Sequence, residues 1–153
     1  MMLDATDRAI IAHLQRDARI SNRALADAVA VAPSTCSERL HRLRDAGVFE
    51  GFHAEVNPTA LGLDIEALVS IRLRRHGAPE VDKFTASTDA MPAVKQIFHT
   101  SGGNDFLCHV VVRDGKQLRE LVVNGFTTLP EVAHVETSLV FEHRSKPVLI
   151  ESD

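Results

Sequence analysis

VAPSTCSERLHRLRDAG, residues 31–47, carries Pro33 where a helix can start, apolar Cys36, Leu40 and Leu43 at helical spacing, and Gly47 where a helix can stop. At roughly 100° per residue the three apolar side chains form one stripe, and Ser34, Glu38, His41 and Arg42 point the other way. A core can therefore hold the back of this helix while its hydroxyl, imidazole and guanidinium groups meet something polar. That is the arrangement a DNA-reading helix requires.

Working outward toward the N-terminus, Asp4 can cap a helix of about Asp4 to Arg16, with Ile10, Ile11 and Leu14 on its buried face and Asp7 near its positive end. Ser21 is a second N-cap, Ile20 and Leu25 are placed for a hydrophobic staple, and a short helix of about Asn22 to Val29 follows. Two short helices joined by the tight connection Ala30 to Ala32 have helix-turn-helix geometry. A small helical bundle shares the same apolar spacing, so periodicity leaves both readings open.

Composition narrows the partners. The 153-residue chain is 44% hydrophobic with a formal charge of −4, which suits a globular protein and argues against coating nucleic acid or anionic membrane through bulk charge. From Met1 to His53 there are seven Arg and seven Asp plus Glu, so the net negative charge lies wholly beyond that point. A neutral N-terminal third and an acidic remainder fit two modules with different partners. Cys36 and Cys108 fall in apolar stripes without metal-ligand spacing, which reads as reduced thiols. No apolar run approaches the length of a membrane span and no secretory leader is evident, so a cytoplasmic location is expected.

Beyond Gly47, Phe49, Phe52 and Val56 suggest an extended linker strand before Asn57-Pro58, with a boundary near Asn57 to Leu63. The period then changes. Ile65, Ala67, Val69, Ile71 and Leu73 alternate as in a strand with one covered face. A helix is expected from about Pro79 to Ala90, extended structure from Ala93 to Thr100, a Gly-rich turn, and a strand from Asp105 to Arg113. A helix through Leu118, Leu121, Val122, Gly125 and Leu129 ends at Pro130, and Val132 to His143 supplies a last strand with Val135, Thr137, Leu139 and Phe141 on one face.

The order strand, helix, strand, strand, helix, strand is the split βαβ, ferredoxin-like arrangement. The fold class expected is thus α+β: a three-helix (winged) helix-turn-helix module in residues 1–53, a linker strand or hinge in 54–63, and a βαββαβ domain in 64–153. Leu107, Val111 and Val140 fall out of phase with the covered positions Phe106, Cys108, Val110, Leu139 and Phe141, so the helix-free face is also partly apolar. With no helices left to cover it, a second copy of the chain is the expected cover. A dimer would also pair two helix-turn-helix units on a pseudo-palindromic duplex.

Leu3-Asp4, Asp7, Ile10, Leu14, the run Asp17 to Ser21, Leu25, Arg39, Arg42-Leu43, Gly47 and Asn57-Pro58 make the chain resemble the leucine-responsive regulatory protein/AsnC family of bacterial and archaeal transcription regulators. The resemblance covers nearly the whole chain, since the βαββαβ order is that of the family's effector-binding domain. It implies a DNA-binding homodimer that often assembles further, commonly into octamers, and an amino acid or related metabolite bound between subunits. Two positions depart from the pattern: Ala30 stands where a turn glycine is usual, and Ala32 where a capping Ser or Thr is common. A missing cap costs about 1 kcal/mol, too little to abolish a packed helix.

The candidate DNA contacts are Ser34, Thr35, Ser37, Glu38, His41 and Arg42. Arg42 suits a guanine edge or a phosphate, the hydroxyls suit phosphates or bases, and Glu38 can accept from cytosine. Arg39, flanking the stripe, suits either a bracing ion pair or DNA; the plain alternative for the whole set is a solvated helix face. In Ser101-Gly102-Gly103-Asn104-Asp105-Phe106, which resembles the family's effector loop, the glycines let backbone amides approach a ligand carboxylate and Asp105 can take an ammonium group. A hairpin turn capped by Asp105 is the alternative. Gly103 and Asn104 stand where the family more often has a larger polar or aromatic pair. The resemblance implies that the response to effector is also felt at Gly115, Ser138, Leu139 and Val140, positions that strand packing explains equally well.

Neither a cofactor nor a metal is expected: adjacent strands can bring His99 and His109 near one another, but a metal needs three or four ligands and no third candidate is evident. An enzyme is disfavoured by the lack of a P-loop, GxSxG, HExxH or any nucleophile with a base at motif spacing. The remaining rival is an amino-acid sensor whose helical end meets protein instead of DNA.

Overall fold

The computed structural model describes residues 2–146 and 148, and divides the chain into two compact units. The first runs to Glu55 and takes in the described residues after His143; the second is Val56–His143.

In the first unit three helices enclose Ile10, Ile11, Leu14, Leu25, Ala26, Cys36 and Leu43. Helix α1 (Ala5–Arg16) begins in a reciprocal cap, with the Asp4 carboxylate accepting from the Asp7 N–H at 2.8 Å and Asp7 accepting from the Asp4 N–H at 3.3 Å. Helix α2 (Asn22–Ala28) is capped by Ser21, and α3 (Pro33–Asp45) starts at Pro33 with no side-chain cap from Ala32. Both α2 and α3 stop in the same way. The N–H of Val48 reaches the Leu43 carbonyl and that of Gly47 reaches Arg44, with Gly47 left-handed at φ 68°. At the end of α2, Val31 reaches Ala26 and Ala30 reaches Asp27, and here Ala30 is the left-handed residue, at φ 55°. The chain turn that a glycine would make freely is thus made by an alanine.

The expected linker strand and wing are corrected: no strand lies between α3 and residue 57. Phe49 packs half-buried on the helical core, Phe52 lies 5.3 Å from it between ring centroids, and Arg44 sits 5.2 Å over Phe52. These aromatics follow side-chain packing instead of a pleat. A 3-10 turn, Pro58–Leu61, begins the second unit, capped by Asn57.

The second unit is a four-stranded antiparallel sheet, β1 (Ile65–Leu73), β2 (Val94–His99), β3 (Phe106–Val112) and β4 (Val132–Leu139), ordered β2-β3-β1-β4. That order and the intervening helices make the ferredoxin-like arrangement. Directly opposite residues share a face, so Ala67, Val69 and Ile71 line up with Val110, Cys108 and Phe106. This face is buried under α4 (Ala78–Asp89) and α5 (Gly115–Glu120), where Phe84 lies 4.5 Å from Phe106 and 6.5 Å from Phe126 between ring centroids. The expected second helix is instead shorter, passing at Leu121 into a wider π-helical turn, Leu121–Phe126, that delivers Phe126 to this core.

Two further expectations for β4 are corrected. The strand ends at Leu139, not His143, and Leu139 and Phe141 are 53% and 98% exposed. Leu139 does lie opposite Ala67, but β4 is an edge strand whose C-terminal end outruns the helical cover, and Phe141 lies beyond the ladder. The helix-free face is mixed: Leu68, Leu107, Val111 and Phe98 alternate along the register with Glu66, Ser70, His109 and Glu136. Phe98 is 46% exposed there. Among the described residues no helix is long and apolar enough to cross a membrane.

Candidate functional site

Helix α3 turns Cys36 and Leu43 fully into the core and leaves Ser34, Glu38, His41 and Arg42 exposed, with Thr35, Ser37 and Arg39 half-buried along its flanks. Ser34, Glu38 and His41, at spacings of four and three, form the outermost line. The Asn22 amide on α2 donates to the Pro33 carbonyl at 2.9 Å, tying the starts of the two helices together. Arg23, exposed in the first turn of α2, is a phosphate-contact candidate that the sequence reading passed over. Its signal was simply an arginine at the start of the helix preceding the reader.

Two of the three arginines of α3, Arg39 and Arg42, serve the fold. Asp7, 1% exposed, accepts from Arg42 Nη2 at 2.7 Å on both carboxylate oxygens and from Arg39 Nη1 at 2.8 Å. Arg39 also reaches Asp4 at 2.6 Å, which holds the Asp4 carboxyl below its ordinary value and raises the guanidinium's. The expectation for Arg42 is therefore amended: this face of its guanidinium anchors α3 to α1. A carboxylate buried at a helix start is costly unless paired, and two arginines three residues apart on the neighbouring helix are what pairs it.

The turn Ser101 to Asp105 joins β2 to β3, with Gly102 at φ 137° and Thr100 closing it through bonds to Asn104 and Asp105 carbonyls. Asp105 is turned inward. Its Oδ2 accepts from the Leu73 N–H at 2.7 Å and its Oδ1 lies 2.6 Å from His76 Nδ1. The capped-hairpin alternative describes this geometry, because β3 begins opposite Ile71 and leaves the next β1 amide without a ladder partner. Ser101, Gly102 and Gly103 are exposed and Asn104 half-buried, so the loop backbone is open to a ligand.

Gly115 starts α5, exposed, behind an Asp114 cap, while Ser138 and Leu139 pair with Leu68 and Ala67 and the Val140 N–H reaches the Glu66 carbonyl. These positions lie at the opposite end of β1 from the loop, which contacts Ile71. Three to five residues at about 3.3 Å each separate Ser138, Leu139 and Val140 from the loop. One chain does not bring them around one small molecule.

Cys36 and Cys108 are free, buried thiols; burial raises both, Cys108 to about 12, so neither is a nucleophile at neutral pH. His99 and His109 are not neighbours: His99 pairs and stacks with Phe106, while His109 faces Gln96 and Glu66.

Comparison with known proteins places these features. Residues 66–148 match the Lrp/AsnC ligand binding domain, and residues 3–44 the AsnC-type helix-turn-helix domain. The chain is 41% identical over 141 residues to the HTH-type transcriptional regulator AldR of Mycolicibacterium smegmatis, covering 92% of this chain and 82% of that one. It is 34% identical to the leucine-responsive regulatory protein of Rhizobium meliloti, covering 90% and 88%. Among solved structures, a transcriptional regulator from Neisseria meningitidis in complex with L-Met superposes with a TM-score of 0.89 at 27% identity, covering 99% of this chain and 96% of that one. Escherichia coli AsnC gives 0.85 at 25%, covering 96% and 99%. With a helix-turn-helix whose outer face is polar, a ferredoxin-like ligand-binding domain following it in sequence and transcriptional regulators as relatives, the chain belongs to the Lrp/AsnC family, as a DNA-binding regulator responding to a small-molecule effector and not an enzyme.

Proposed function

We propose that residues 1–53 read a pseudo-palindromic operator through the outward line of α3, that 54–63 act as hinge, and that 64–153 bind an amino acid and assemble the chain. Ser34, Glu38 and His41 face the bases, Thr35 and Ser37 lie at the rim with the phosphates, and Arg39 and Arg42 hold the helix in place from Asp7. Arg42's remaining donors still reach a phosphate. The observation that carries this is the exposed line on a helix whose other side is buried and ion-paired.

The effector class is supported by the relative solved with L-Met and by relatives named for their response to leucine. Its place between subunits is supported by the separation of the loop Ser101 to Asp105 from Gly115 and Ser138 to Val140, since a second copy is needed to join the two groups. The partly apolar helix-free face, with Phe98, Leu107, Leu68 and Val111, supports a dimer through the sheet, and further assembly to an octamer follows the family pattern. A cytoplasmic location goes with this role. The amino acid acts through different affinity for different assembly or spacing states, and so changes affinity for DNA.

The test is footprinting on the DNA upstream of the chain's own gene across a panel of amino acids, with sizing of each complex. The expected result is a protected two-fold site whose occupancy or complex size changes with one of them. Protection of no DNA would favour the sensor that acts through protein partners.

A further inference from the structure

The helix-free face, the surface that a second copy is proposed to cover, also carries a side-chain cluster that neither DNA reading nor effector binding uses. Glu66 on β1 and His109 on β3 sit diagonally across the register, since Glu66 faces Val111 and Leu68 faces His109. After Leu139 the chain leaves the ladder and folds back, setting the His143 ring edge-on to His109 with centroids 5.5 Å apart. His109 Nε2 then lies 3.1 Å, and His143 Nδ1 3.7 Å, from the same oxygen, Glu66 Oε2. All three ligand atoms fall within 4.8 Å of one another.

We propose that Glu66, His109 and His143 form a binding site for a divalent transition-metal ion of the zinc class. Bonds of about 2.0–2.1 Å to nitrogen and oxygen in a tetrahedron place neighbouring ligand atoms about 3.4 Å apart, and the two observed separations bracket that edge. Two imidazoles and one carboxylate suit zinc, nickel or cobalt, whereas magnesium and calcium prefer all-oxygen shells. The three side chains also differ in a way a metal site uses. His109 is 5% exposed and held in the sheet, Glu66 is 23% exposed, and His143 is 48% exposed on the segment after the last strand. The buried histidine and the half-buried glutamate form the seat, and the exposed histidine closes it while leaving the fourth position to water or to a group of the copy that covers this face. Metal binding would fasten the chain beyond Leu139 to the sheet.

Sequence spacing did not reveal the site, because its ligands are 43 and 34 residues apart and meet only through strand register and the folded-back segment. The test is titration of the chelator-stripped full chain with Co2+, following the visible band of tetrahedral cobalt, with Zn2+ as competitor. One Co2+ per chain is expected, displaced by Zn2+. His143→Ala, at an exposed position after the last strand, should lower affinity by at least the roughly 10–100-fold that loss of even a supporting contact costs. Glu66→Gln keeps the shape and a hydrogen bond to His109, and should weaken binding as well. Absence of saturable binding, or binding by both variants equal to the parent chain, would overturn the site.

Discussion

Asp7 is the residue on which the DNA-reading unit turns. It is buried, it closes the cap of α1, and it takes the guanidinium groups of Arg39 and Arg42. Asp7→Ala should destabilise the first unit by about 2–3 kcal/mol, the scale of charged hydrogen bonds lost from a partly buried cluster. Arg42→Ala should cost about 1–2 kcal/mol, because Arg39 remains to pair the carboxylate. Denaturant midpoints measure both, and an Arg42→Ala chain that loses DNA affinity has to be corrected for this loss of stability. Acid probes the neighbouring contact. Asp4 is held below its ordinary value chiefly by Arg39, so it binds its proton more weakly folded than unfolded. Its contribution to stability is present above the unfolded value, near 3.9, and is lost as pH falls through the lowered folded value. Asp4→Asn should flatten that part of the acid stability profile while leaving its neutral-pH shape unchanged. Of these relations, the Asp4 cap was legible in the chain, since a cap is local. Burial of Asp7 was not, because its partners lie more than thirty residues away.

At the scale of elements, α2 and α3 end in the same hydrogen-bond pattern, but one uses Gly47 and the other Ala30 in the left-handed region. Ala30→Gly should therefore stabilise the unit by roughly 0.5–1 kcal/mol, the relief of a left-handed alanine less the extra freedom of glycine in the unfolded chain. Ala32→Ser should add about 1 kcal/mol by supplying the cap that α3 lacks. Thermal melting checks both, and a lower melting temperature for either would contradict the turn geometry. Helices and strands with clean periodicity were readable to within a residue or two, as with β1 and α3. Three features were not: the missing wing, the π-helical turn and the early end of β4. Each is decided by packing, Phe49 on the helical core, Phe126 on Phe84, and the edge of the sheet beyond Leu139.

Across the whole molecule, the reading helix belongs to one compact unit and the ligand-binding sheet to the other, and the candidate effector residues divide between two ends of that sheet. Their separation was invisible in the sequence, because it depends on which end of β1 each segment meets. The fold class, the order of the strands and the polar face of α3 could all be read beforehand; the pairing of distant charges and the gathering of Glu66, His109 and His143 could not. The central claim is that the outward line of α3 discriminates sequence. It is tested most directly by equilibrium binding of the full chain and of a Ser34→Ala, His41→Ala double variant to the protected duplex and to a scrambled duplex, at one fixed salt concentration. Both side chains are exposed or outward-facing, so the variant should keep its stability to within about 0.5 kcal/mol. The account predicts that it loses roughly tenfold or more in preference for the protected duplex while retaining its salt-dependent binding to the scrambled one. An undiminished preference in the folded double variant would contradict it.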